Sequence, residues 1–105
     1  MIREITVQEL EKMRNEKADF LLLDVRDQFE YDICNLQGKL IPLAELPERL
    51  SELNSDQKIV VHCKGGGRSS RAVDFLQQNG FKDAYNLKGG ISTWWREIDP
   101  LMEKY

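Results

Sequence analysis

The segment of this chain best equipped for chemistry is Val61-His62-Cys63-Lys64-Gly65-Gly66-Gly67-Arg68-Ser69-Ser70. A β-branched run delivers a cysteine, glycines follow, and an amphipathic stretch begins at once. Consecutive glycines permit positive φ and close backbone approach, so several N–H groups can converge on one point. A helix starting there adds unsatisfied donors and a partial positive charge, and Lys64 and Arg68 add full charges. Such surroundings lower a thiol pKa from about 8.5 by one to several units, each worth about 1.4 kcal/mol in favour of thiolate. A thiolate in a cup of amides is a nucleophile and the anchor of an anion site. The plainer reading, a buried structural cysteine beside a turn, leaves the glycines and the cation between cysteine and helix unexplained.

The arginine offset bears on which anion. Cysteine-dependent phosphatases use Cys-x5-Arg, a loop wide enough to cradle phosphate against a guanidinium fork. From Cys63 to Arg68 the spacing is Cys-x4-Arg. The smaller cup suits one sulfur atom carried on Cys63 better than a phosphoryl group, and it disfavours a phosphatase or arsenate reductase.

Other reactive residues have ordinary explanations. His62 is the only histidine; neighbours on a strand face opposite ways, so it should point away from the Cys63 sulfur as a satisfied, packed side chain. Cys34, His62 and Cys63 are too few and wrongly spaced for zinc. Cys34 could resolve an oxidised or persulfidated Cys63, but it stands in a loop-like stretch without cations or glycines and reads as inert. Asp24 and Arg26 straddle a strand end, where they can orient the site or join an internal ion pair such as Arg26 with Glu30. Trp94 and Trp95 are adjacent on a helix, so one should be core and the other partly exposed.

The elements that position these residues alternate in α/β fashion. Thr6 to Glu9 forms a capping box opening a helix with Val7, Leu10 and Met13 on one face, fading by about Lys17. Phe20 to Asp24 is apolar on both faces, like a buried parallel strand. Asp27 to Ile33 reads as a short helix with Phe29 and Ile33 inward, and Asn35 to Pro42 as loop around a brief strand. Leu46 to Leu53 is helical by spacing. Lys58 to His62 is the central strand, Ser69 to Gln78 a helix closed by Gly80, Ala84 to Leu87 a last strand, and Ile91 to Ile98 a closing helix.

Composition sets the outer bounds. The chain has 105 residues, 41% hydrophobic and 31% charged, a net charge of −3 and two cysteines. We expect one domain over residues 1–105, with a core sufficient without staples. A negative balance excludes bulk capture of nucleic acid or anionic membrane. Too few cysteines for a disulfide scaffold favour a reducing, cytoplasmic setting, and no apolar run approaches a bilayer span.

Cys63-Lys64-Gly65-Gly66-Gly67-Arg68-Ser69 resembles the active loop of the rhodanese sulfurtransferases, Cys-x-x-Gly-x-Arg-Ser. The resemblance covers nearly the whole chain. Leu23-Asp24-Val25-Arg26 with Phe29-Glu30-Tyr31 is similar to the family's Asp-Val-Arg…Glu-Tyr signature, and Leu87-Lys88-Gly89-Gly90-Ile91 with Trp94 to its closing Gly-Gly-x-x-x-Trp. It implies a three-layer α/β/α domain with a central, mostly parallel sheet. It implies that Cys63 takes sulfur from a sulfane donor such as thiosulfate or a persulfide, holds it as a persulfide stabilised by the loop of Lys64, Gly65, Gly66, Gly67, Arg68 and Ser69, and passes it on. Asp24 and Arg26 would support the site. No metal or organic cofactor is implied. The implied acceptors are a thiol, cyanide or a ubiquitin-like sulfur carrier. The intact Cys63 and Arg68 argue against a non-catalytic binding module.

One departure stands out. The family's His-Ile-x-Gly-Ala is replaced by Asn35-Leu36-Gln37-Gly38-Lys39. This variant, with Leu40-Ile41-Pro42-Leu43, is similar to rhodanese domains at the C-terminus of adenylyltransferases of the molybdopterin and thiamine pathways, which pass sulfur to a carrier's Gly-Gly tail.

Overall fold

A computed structural model describes residues 2–105. In chain order the elements are β1 (Glu4–Ile5), α1 (Val7–Asn15), β2 (Leu21–Asp24), α2 (Gln28–Ile33), β3 (Lys39–Leu40), two 3-10 segments (Leu43–Glu48 and Leu50–Glu52), β4 (Ile59–His62), α3 (Gly67–Gln78), β5 (Ala84–Leu87) and α4 (Gly90–Glu97). The five strands lie in the order β1-β5-β4-β2-β3, and every neighbouring pair is parallel. β4 is central and buried along its whole length, as a strand covered on both faces must be.

Side-chain alternation divides the interior in two. Leu23, Val25, Ile59, Val61, Cys63 and Ala84 share one cluster with Ala72, Val73 and Leu76 of α3 and with Leu46. Leu22, Val60 and Leu87 share the other with Val7 and Leu10 of α1 and with Ile91, Trp94 and Trp95 of α4. The sheet is thus the middle of three layers. No helix among the described residues is long and apolar enough to cross a membrane.

The strand order also positions the site. From β2 the chain moves outward to β3, whereas from β4 it moves the other way to β5. The carboxyl ends of β2 and β4 therefore flank a topological switch point, where open α/β sheets place their ligands. Asp24 to Arg26 leave β2 there, and Cys63 leaves β4.

Several expectations need correction. β1 was not foreseen; two residues on a sheet edge are too short to show a periodicity. Leu46 to Leu53 is not an α-helix but the later part of two 3-10 segments starting at Leu43. Pro47 lies inside the first, where it offers no N–H to an α-helical ladder. Phe29 is 63% exposed; the buried member of α2 is its neighbour Glu30, and consecutive helical residues cannot share a face. Both tryptophans are buried. The Arg14 guanidinium lies 5.7 Å from the Trp94 ring centroid, and Tyr105 packs its ring against Trp95 with centroids 5.5 Å apart at 80°. The segment beyond α4 folds back to give that second cover.

Candidate active site

Cys63 leaves β4 on the face that carries α3, and its sulfur meets the start of that helix. It accepts from the Gly66 amide at 3.1 Å and from the Ser69 amide at 3.4 Å, with the Ser69 hydroxyl 3.3 Å away. α3 begins at Gly67, earlier than the sequence spacing suggests, and Gly66 caps it with φ +113°. That conformation is strained for any residue with a Cβ, and it turns the amides inward. Burial pushes the Cys63 thiol up. The Ser69 hydroxyl and the amides of Ser69, Gly66 and Gly65 more than reverse this, so the thiol titrates below its usual range.

A second helix fixes the loop from behind. The Ile91 amide donates to the Cys63 carbonyl and the Ser92 amide to the Lys64 carbonyl, both at 3.0 Å. The Ser92 hydroxyl also donates to the Lys64 carbonyl at 2.9 Å. The loop's carbonyls are thus held by the α4 N-terminus while its amides face the sulfur. This close approach requires Gly90: its φ is +62°, and a Cβ there would stand 2.4 Å from the Lys64 oxygen.

Ser69 has one hydroxyl proton and three acceptors: Asn86 Oδ1 at 2.5 Å, the Gly66 carbonyl at 3.2 Å and the Cys63 sulfur. Asn86 presents its oxygen because its Nδ2 donates to Glu4 at 3.2 Å. With Cys63 protonated, the thiol donates to Ser69 and Ser69 donates to Asn86. With Cys63 ionised, the Ser69 proton turns to the sulfur.

Beside the cup runs a ladder of alternating charge. Asp24 and Arg26 are both fully buried and pair at 2.8 Å; Arg26 also donates to the Cys34 carbonyl at 2.8 Å and to the Tyr105 hydroxyl at 3.0 Å. Burial works against the Arg26 charge, and its bonds to Asp24 and Tyr105 more than offset it. Glu30 accepts both arms of the Arg68 fork, at 2.6 and 2.9 Å, and the Tyr105 hydroxyl donates to it at 2.5 Å. The Arg68 bonds hold the Glu30 carboxyl down at about 2. The expected Arg26–Glu30 ion pair is replaced: Arg26 takes Asp24 and Glu30 takes Arg68.

His62 points away from the Cys63 sulfur, as its strand position requires. It is not satisfied, however. Nδ1 lies 3.4 Å from the Cys63 carbonyl, while Nε2 has no hydrogen-bond partner and stands 3.6 Å from Asp24. Complete burial lowers its pKa, so the ring is neutral near pH 7. Cys34 is buried at the end of α2. Lys64 lies at the rim, its Nζ 4.5 Å from the Tyr105 ring centroid. Gly65, Gly66 and Gly67 line the turn as expected, and Asp24 and Arg26 stand one strand away.

Four contributors escaped the sequence reading: Glu30 as the partner of Arg68, Asn86 behind Ser69, Gly90 behind the loop, and Tyr105. Glu30 and Gly90 carried usable signals, since they stand in the Phe29-Glu30-Tyr31 and Leu87-Lys88-Gly89-Gly90-Ile91 motifs, but neither motif gave the contact that the residue makes. Tyr105 carried none.

The model of the rhodanese-like domain family matches residues 6–97. A protein of Allochromatium vinosum named sulfurtransferase is 33% identical over 97% of this chain and 96% of its own length. The probable adenylyltransferase/sulfurtransferase MoeZ of Mycobacterium tuberculosis is 38% identical over 96% of this chain, which spans 26% of that protein. Several longer curated relatives are likewise spanned over 38% of their length or less. The crystal structure of SSP1007 from Staphylococcus saprophyticus superposes with a TM-score of 0.84 at 32% identity, over 92% of this chain and 97% of the other.

Proposed function

The chain belongs to the rhodanese-like domain family, and on that premise we propose that it is a sulfurtransferase working through a persulfide on Cys63. The observation that carries the proposal is the cup: a sulfur at the start of α3, met by the Gly66 and Ser69 amides and the Ser69 hydroxyl. These donors favour the thiolate that attacks, and the same inward-facing groups suit the terminal sulfur of a persulfide.

With thiosulfate as donor, the Cys63 thiolate attacks the outer sulfur. A sulfur–sulfur bond to Cys63 forms, the bond to the sulfonate sulfur breaks, and sulfite leaves with the electron pair. The negative charge passes to the terminal sulfur. In the second step an acceptor thiolate attacks that sulfur, becomes a persulfide itself, and regenerates the Cys63 thiolate. In this transfer between thiolates no proton or external electron is consumed. The neighbouring amides need not move between the steps, and such preorganised donors are the most effective stabilisers of developing charge.

The sulfurtransferase names among the relatives support sulfur transfer. For the acceptor, the adenylyltransferase-and-sulfurtransferase relatives and the Asn35 to Leu43 variant favour the adenylated Gly-Gly tail of a ubiquitin-like carrier over cyanide or a free thiol. There the terminal sulfur of the persulfide attacks the acyl adenylate and AMP leaves, and a thiol reductant then cleaves the acyl disulfide, freeing the carrier thiocarboxylate and the Cys63 thiolate. Exposed Gly65 and Gly67 leave the rim open to such a tail.

The test is intact mass after incubation with thiosulfate. One added sulfur is expected on the unsubstituted protein and on Cys34→Ser, and none on Cys63→Ser. A sulfur retained by Cys63→Ser would sink the assignment.

A further inference from the structure

Lys64 and Arg68 are the two cations of the active loop, and the structure treats them differently. Both arms of Arg68 are taken by Glu30, so that pair presents little net charge to an incoming donor. Lys64 has no carboxylate partner among the described residues. Its Nζ stands over the ring of Tyr105, 4.5 Å from the centroid. That ring is fixed independently, by its hydroxyl between Glu30 and Arg26 and by its edge-to-face contact with Trp95.

We propose that the ring of Tyr105 is a platform that holds the Lys64 ammonium at the rim of the Cys63 cup and so makes the cup selective for anionic sulfur donors. The inference rests on the sulfurtransferase reading for its substrate, and on the geometry alone for its electrostatics. An ammonium over an aromatic face keeps its charge while losing its freedom to swing into solvent, an interaction worth about 0.5–1 kcal/mol at an exposed site. A lysine has many rotamers, so an untethered Lys64 would spread its charge over a wide volume. A tethered one gives a fixed field at the entrance. Tyr105 is then a positioning residue, acting on the donor through Lys64.

A pair of alkylating reagents tests this without requiring sulfur transfer. Iodoacetate is an anion and iodoacetamide its neutral isostere. Both need the Cys63 thiolate, so a change in thiol pKa or in general access moves both rates together, and their ratio reports the field at the cup. In a Cys34→Ser background at low ionic strength, the iodoacetate-to-iodoacetamide ratio is expected to fall about two- to fivefold in Tyr105→Ala, the equivalent of the cation–π energy. It should fall as far in Tyr105→Leu, which keeps bulk without a π face. Tyr105→Phe should stay within about twofold of the parent. Lys64→Met should fall at least as far as Tyr105→Ala, because it removes the charge rather than freeing it, and the double variant no further than Lys64→Met. An unchanged ratio in both Tyr105→Ala and Tyr105→Leu overturns the proposal, as does a loss in Tyr105→Phe equal to theirs or an additive double variant. Sulfur uptake from thiosulfate by the unsubstituted protein is scored separately by intact mass. Failure there removes the sulfurtransferase reading, while the alkylation ratio still decides the role of Tyr105.

Discussion

Ser69 serves the thiol and the thiolate of Cys63 in turn, because its single proton can face Asn86 or the sulfur. Its hydroxyl is the foremost of the groups that lower the Cys63 pKa against burial. Removing it leaves the amides of Ser69 and Gly66 in place, so the thiol should stay reactive but ionise later. In Ser69→Ala the midpoint of the Cys63 alkylation rate against pH should rise by about one pH unit, equivalent to about 1.4 kcal/mol. In the unsubstituted protein the midpoint should lie below the ordinary thiol value of about 8.5. Iodoacetamide labelling of the Cys34→Ser protein across pH reads both numbers. An unchanged midpoint in Ser69→Ala would assign the whole effect to backbone amides.

At the scale of elements, two helix N-termini meet at one loop: α3 offers amides to the sulfur, and α4 offers amides to the carbonyls behind it. The contact of α4 with the loop depends on Gly90, where an added Cβ meets backbone that cannot yield. Gly90→Ala should therefore cost at least about 2 kcal/mol in urea unfolding. Gly67→Ala is the contrast: a Cβ there meets nothing within 4 Å, and at the first residue of α3 it should leave the urea stability within about 0.5 kcal/mol. The same loop argues against phosphoryl transfer. Besides the short spacing, the fork of Arg68 is occupied by Glu30 and cannot also clasp a phosphate. Hydrolysis of p-nitrophenyl phosphate should match the Cys63→Ser background, and turnover clearly above it would refute the argument from loop size.

For the whole molecule, the buried ionisable groups Glu30 of α2 and His62 of β4 make folding sensitive to acid. Glu30 titrates at about 2 when folded and at about 4.3 when unfolded. Its contribution is therefore complete above the unfolded value and lost as pH falls toward 2, on the order of 2–3 kcal/mol in all. His62 is kept neutral by burial, so below its unfolded pKa of about 6.5 the unfolded chain binds a proton that the native state does not. Its contribution likewise falls with falling pH, at no more than about 1.4 kcal/mol per pH unit. Urea unfolding across pH should show stability declining from about 6.5 and more steeply below about 4.3. His62→Gln should flatten the first phase and Glu30→Gln the second. A profile level down to pH 5 would mean that His62 is not buried neutral.

What the sequence determined by itself is what short range decides. The Thr6 capping box forms as its spacing requires, with Thr6 and Glu9 bonding reciprocally. β4 ends at His62 before the cysteine, where its β-branched run meets the glycines, and β5 has its expected bounds between Gly80 and Gly89, because such residues act on their own neighbours. The cup of Cys63, Gly66 and Ser69 closes within six residues and was legible for the same reason. Partner choice across the chain was not. Arg68 meets Glu30 from 38 positions away, and Tyr105 reaches Glu30 across 75. Nothing local names Arg68 as the partner of Glu30 or marks Phe29 for solvent. Those assignments follow from the switch point between β2 and β4, which brings the two strand ends together and leaves the Glu30 carboxylate buried, so that it had to be paired. Only packing could decide that, since each cost is set by burial and burial is a property of the assembled sheet.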